Sequence, residues 1–219
     1  MSEINTLKTD HHLEADFHQP VSFESINGLH RIFRNAIEYE QYKRLRLNVN
    51  SPGGEFSALT HYLWYLKAMR HQAVEVATLG QIQVASAAAI MVSMGDIGHR
   101  AAYPHTEFVY HFARLGRVER LTAQKADYLR KEIEDVDRTM LDQLVEHIAP
   151  AVGQQSFPRG DIKIGRSRFV AKAGMNLAEC KRKMRADLER LFLLDMSITA
   201  EQARDFYLID TIKLPEGGL

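Results

Sequence analysis

The chain has 219 residues, 45% of them apolar, with 28 basic and 28 acidic side chains. That apolar share can fill a packed core, and the length suits a single domain. Zero net charge supplies no global field toward nucleic acid or an anionic membrane, so neither is expected as a partner. The only cysteine is Cys180. It excludes an intrachain disulfide, and no Cys/His cluster has metal-ligand spacing, so no metal or cofactor is expected. The opening stretch, MSEINTLKTDHHLEADF, has no apolar run of signal-peptide length, and no segment approaches a membrane span. The expected location is cytoplasmic.

In chain order, residues 1–12 read as a loose polar tail, and Leu13–Phe17 as a short strand broken by Pro20. Ile26, Leu29, Ile32, Phe33 and Ile37 recur at helical spacing, which predicts a helix over Ser25–Glu38. Leu45–Val49 alternates as a strand and stops at the turn Ser51-Pro52-Gly53-Gly54. A helix over Ala58–Met69 and a strand over Val74–Leu79, ending at Gly80, follow. Strands separated by helices imply repeated parallel βαβ units, an α/β class.

Ser86 opens an alanine-rich run to Met94 that is apolar on all sides and is expected to be buried. Arg100–Tyr103 and Glu107–His111 read as short strands, and Thr122–Ile148 as a long helix. Pro150–Gly174 has few large apolar residues and reads as a mobile loop insertion. Helix returns over Leu177–Phe192. Thr199-Ala200-Glu201-Gln202 has the form of a capping box, and Tyr207–Ile212 closes as a strand.

A serine at a strand-to-helix turn and a histidine at a later strand end are the minimum for an activated nucleophile. Ser86 alone reads equally as a helix N-cap, and His111 alone as a structural histidine. His111 follows Ser86 by 25 residues, while His99 and His105 fall in turn-like segments. The glycines of the Ser51–Gly54 turn permit close approach of a substrate to the backbone.

These motifs together resemble the Clp protease proteolytic subunit family. They are Ser51-Pro52-Gly53-Gly54, Ala85-Ser86, the segment Gly95–Arg100, and Val109-Tyr110-His111, in that order. The resemblance covers roughly Leu45–Ile148 plus a C-terminal piece. It implies a Clp protease/crotonase-like fold with a long protruding handle helix, Thr122–Ile148, that pairs two rings. It implies a serine endopeptidase acting on peptides or unfolded protein, in a homo-oligomeric ring. Ser86 would be the nucleophile, His111 the base, and Gly54 and Ala87 the oxyanion donors. The family's aspartate maps to Asp195, eight residues before Ala203, with Asp187 as the rival. Glu55 and Phe56 would form an extended edge for the substrate.

The chain also departs from the family. Gly80 lies two residues farther from Ser86 than usual, Phe112-Ala113 follow the histidine, and Tyr207 stands where a glycine is usual. His111 and Asp195 are separated by about 35 residues more than expected, the excess falling around Pro150–Arg185. The polar N-terminus does not match the axial segment with which family members meet an unfoldase ATPase. Such an ATPase therefore stays an open partner. The alternatives are a non-catalytic ring subunit, a crotonase-fold acyl-CoA enzyme, and a serine–lysine enzyme, which should carry a membrane or secretory segment.

Overall fold

A computed structural model describes residues 4–9, 12–114 and 122–214. Its centre is an eight-stranded sheet. β2 (Leu13–Phe17), β3 (Arg44–Ser51), β4 (Glu75–Ala85) and β5 (Arg100–Ala102) run parallel. Helices α1 (Phe23–Glu38) and α2 (Phe56–His71) make the crossovers between them. The alternation expected at Leu45–Val49 follows from this geometry, with Leu45, Leu47 and Val49 buried. The α1 stripe Ile26, Leu29 and Phe33 is fully buried, each side chain contributing roughly 1.5–3 kcal/mol by removal from water.

β4 is longer than its sequence suggests. Gly80 does not end it; the strand runs on to Ala85. The first half of β4 pairs with β5 as far as Gly80, and the second half pairs from Gln83 with β6 (Glu107–Val109). A Cβ at Gly80 would lie 3.1–3.3 Å from Phe108, Val84 and Thr106. A glycine therefore fits where the sheet divides, and the two extra residues before Ser86 are absorbed as strand.

Three further readings are corrected. Within the 1–12 tail, β1 (Thr6–Lys8) pairs antiparallel with β2. Residues 150–174 are not a plain loop. α4 (Ala123–Val152) extends through Pro150, and β7 (Ile162–Ile164) and β8 (Ser167–Phe169) form a hairpin. Phe157, Ile162, Ile164 and Phe169 of this segment are buried, so few contacts suffice to anchor it, while Val170 stays exposed. At the C-terminus only β10 (Thr211–Ile212) is strand, beside β5, and Tyr207 takes φ 60°.

α5 (Leu177–Leu194) packs on α4, and the short β9 (Ser197–Thr199) leads into α6 (Ala200–Asp205), capped by Thr199 as expected. α4 is buried only from Met140 onward. Its first half leaves Leu129, Ile133 and Val136 half-buried and Tyr128 exposed, so this end protrudes from the core. No helix among the described residues is long and apolar enough to cross a membrane.

The Gly95–Arg100 motif acquires a structural reason. Arg100 is fully buried and forms a two-pronged pair with Asp210, Nη2 to Oδ1 at 2.7 Å and Nε to Oδ2 at 3.0 Å. Gly98, at φ 88°, turns its N–H onto the same carboxylate at 2.8 Å. Burial opposes ionisation of Asp210, but these donors outweigh it and hold the carboxyl below its usual range. Beneath this turn, His147 of α4 lies 2.8 Å from the Gly95 carbonyl through Nε2. Burial, reinforced by nearby Arg70, pulls its pKa down to about 4.

Candidate active site

The end of β4 sets the site. Ser86 is half-buried, with φ 56° and ψ −127°, between the last residue of β4 and the first of α3 (Ala87–Ser93). Its side chain makes no capping hydrogen bond, so the plain N-cap reading of this serine fails. A non-glycine residue held at positive φ costs on the order of 1–3 kcal/mol, and such turns present a side chain outward. α3 is buried at every position, as its alanine-rich sequence predicts.

The Ser51–Gly54 turn packs directly against this corner. Ser51 Oγ donates to the Gln19 carbonyl at 2.7 Å and accepts the Gly53 N–H at 3.1 Å. Gly53, at φ 89°, approaches so closely that a Cβ there would lie 2.5 Å from the Ala85 oxygen and 2.6 Å from Ser86 Cβ. Gly54 is held beside Val21, whose carbonyl accepts the Glu55 N–H at 2.8 Å. The N–H groups of Gly54 and Ala87 have no acceptor among the described residues. Two unspent donors therefore flank the serine, the requirement for holding an oxyanion.

The extended edge anticipated at Glu55 and Phe56 is shorter than expected. Glu55 is extended and exposed, but Phe56 is already the first residue of α2. Glu55 is thus the N-cap of α2, with its own N–H donated to the Val21 carbonyl.

His111 comes to the same end of the sheet through β6. Ala85 pairs with Val109, and the Ser86 N–H donates to the Val109 carbonyl at 2.8 Å. Residues flanking the histidine are fixed by aromatic packing. The rings of Tyr110 and Phe112 each lie 5.5 Å from Phe192 of α5, and the Tyr110 hydroxyl shares a 2.8 Å hydrogen bond with Ser93. His111 Nδ1 lies 2.6 Å from the Phe112 carbonyl. A carbonyl only accepts, so Nδ1 is the donor in this contact, and in the neutral ring the lone pair is on Nε2.

Asp195 arrives through β9. Val109 faces Ser197 in the antiparallel β6–β9 ladder, which ends there, two residues short of both His111 and Asp195. Asp195 caps α5 in the left-handed conformation, φ 51°, which aspartate tolerates better than most residues. Its carboxylate is bound to the Arg114 guanidinium. The rival Asp187 is buried within α5 and paired with Lys183 and Arg190 of the same helix. Among the described residues, no hydrogen bond joins Ser86 to His111 or His111 to Asp195. Ser86 follows β4, His111 lies two residues past β6 and Asp195 two before β9, three strands that pair in succession, and the Asp195 carboxylate is taken by Arg114.

Chain comparison decides the family. The Clp protease family model matches residues 30–156.

The chain belongs to the Clp protease family.

An ATP-dependent Clp protease proteolytic subunit-like protein of Streptomyces coelicolor is 30% identical over 168 residues, covering 77% of this chain and 63% of that protein. The ATP-dependent Clp protease proteolytic subunit 2 of Corynebacterium jeikeium is 25% identical over the same shares. Subunit 1 of Corynebacterium glutamicum is 33% identical over 114 residues, half of this chain and 51% of that one. The chain thus spans under two thirds of the length of these relatives. The α/β sheet and its crossovers agree with the Clp protease fold, and the family match carries a peptidase lineage.

Two residues at this site carry no sequence signal. Arg114, which pairs with Asp195, belongs to no motif. Asp137 of α4 accepts the Ala113 N–H at 2.8 Å through Oδ1. It is one acidic residue among several on an exposed helix, and nothing in the spacing distinguishes it.

Proposed function

We propose that this chain is a serine endopeptidase of the Clp proteolytic type, working on peptides or unfolded protein as one subunit of a homo-oligomeric ring. The observation that carries the reading is Ser86, held at positive φ beside two unspent N–H donors and tied to Val109, the end of the strand that leads to His111. Ser86 Oγ attacks the peptide carbonyl while His111 Nε2 takes its proton. The oxyanion lies between the N–H groups of Gly54 and Ala87. His111 returns the proton to the leaving amine, and an acyl-enzyme remains on Ser86. Water then attacks that ester through the same hole, with His111 again the base. Asp195 steadies the imidazolium once Arg114 releases it, and Glu55 and Phe56 border the peptide. The protruding half of α4 is the surface through which rings pair, and an unfoldase ATPase is the partner such a ring would take. Reaction of Ser86 with a fluorophosphonate, located by peptide mapping, tests the assignment.

A second reading is a ring subunit that has kept the fold without turnover. The observation favouring it is the Arg114–Asp195 pair, which withholds the carboxylate from His111. That reading predicts no labelling of Ser86 either alone or within the assembled ring.

A further inference from the structure

Asp137 is a half-buried carboxylate on the handle helix α4, and it reaches the strand segment that carries the histidine. Its Oδ1 accepts the N–H of Ala113, two residues beyond His111, at 2.8 Å. Charged groups near His111 come from three elements. They are Asp137 on α4, Arg114 on the histidine's own segment, and Asp195 at the end of α5. Arg114 and Asp195 neutralise one another. Asp137 has no cation of its own among the described residues, so its charge is the one left to act on the imidazole.

We propose that Asp137 is a positioning residue for His111, holding the 112–114 backbone through Ala113 and supplying the negative charge that stabilises the imidazolium. The handle helix thereby bears directly on the base, and not only on ring pairing. Burial raises the Asp137 carboxyl above its usual range, opposed by the Ala113 N–H and by attraction to His111. The sign of that shift matters. A raised carboxyl means that ionised Asp137 costs the fold stability at neutral pH, so a purely structural role would be better served by an amide.

The inference rests on the peptidase reading, and the test separates the two. Asp137→Asn keeps an acceptor for Ala113 and removes the charge; Asp137→Ala removes both. In the full chain, Asp137→Asn should lower kcat for a fluorogenic peptide roughly tenfold, with KM within about twofold and Tm unchanged or higher. Asp137→Glu, which returns the charge on a side chain one methylene longer, should recover most of the lost kcat, whereas a merely structural role gives it no advantage over Asp137→Asn. Asp137→Ala should add faster exchange of the Ala113 amide. Native kcat in Asp137→Asn, or no recovery in Asp137→Glu, overturns the inference, as does a kcat loss that merely follows a fall in Tm. If the native chain neither labels at Ser86 nor turns over, the peptidase reading fails, while exchange of the Ala113 amide in Asp137→Ala still decides whether Asp137 holds the 112–114 backbone.

Discussion

The Ser86 N–H donates to the carbonyl of Val109 across 2.8 Å. That one bond ties the turn after β4 to the last residue of β6, two residues before His111, so the strand observed is shorter than the Glu107–His111 expected from sequence. It also explains why Ser86 and His111 are separated in sequence: β5 must be laid down beside the first half of β4 before β6 joins its second half.

Gly53 should be intolerant of any side chain. A methyl there would meet the Ala85 carbonyl and Ser86 Cβ at 2.5–2.6 Å, on a backbone already at φ 89°. Gly53→Ala is expected to displace Ser86 and cut fluorophosphonate labelling by at least about tenfold, with a stability loss on the order of 1–3 kcal/mol. Labelling rate and chemical denaturation read the two effects separately, and a variant that labels at the native rate would contradict this packing.

Arg114 restrains Asp195. Arg114→Ala should free the carboxylate and raise peptide turnover severalfold. Because the pair is largely exposed, stability should change by no more than about 1 kcal/mol. Asp195→Asn should lower turnover at least about tenfold, whereas Asp187→Asn should weaken α5 and spare the chemistry. If Asp187→Asn is the inactive variant and Asp195→Asn is normal, the alignment of β9 against β6 does not set the third residue.

The Arg100–Asp210 pair is predicted to be structural. Arg100 is fully buried, so Asp210→Asn leaves a buried guanidinium without its counter-charge, at a cost of roughly 3–5 kcal/mol. Urea denaturation of Asp210→Asn and of the double variant Arg100→Met/Asp210→Asn checks this. The double variant should recover part of the loss.

Stability should fall in acid through His147. Its folded pKa, about 4, lies below the ordinary value of 6.5. The unfolded chain therefore binds the proton first. Its contribution is whole above pH 6.5 and is lost as pH falls from 6.5 toward 4, up to about 3 kcal/mol in all. His147→Gln keeps a donor to the Gly95 carbonyl and cannot titrate, so its melting temperature should depend less on pH across that window.

Much of this was legible in the chain because the signals are local. The Leu45–Val49 alternation, the all-apolar α3 and the proline-glycine turn each have one physical reading, and they fall where expected. What escaped depends on contacts distant in sequence. β9 is three residues, Ser197–Thr199, and exists only because β6 offers an edge. Gly80 looks like a terminator until Phe108 and Thr106 close over it. The β7–β8 hairpin hides in a polar stretch because Ile162, Ile164 and Phe169 are too few to set a period, yet each finds the core. At the site, Ser86, Gly54, Ala87 and His111 stand on motifs. Arg114 and Asp137 do not, since an arginine in a loop and an aspartate on a charged helix look like any solvated side chain.

The most direct measurement is labelling of the assembled full-length chain with a fluorophosphonate, followed by peptide mapping, alongside Ser86→Ala. The account predicts one modified residue, Ser86, in the native chain and none in the variant. It also predicts loss of peptide turnover by at least about a thousandfold with light scattering unchanged from the native oligomer. Modification at another residue, or full turnover by Ser86→Ala, would contradict it.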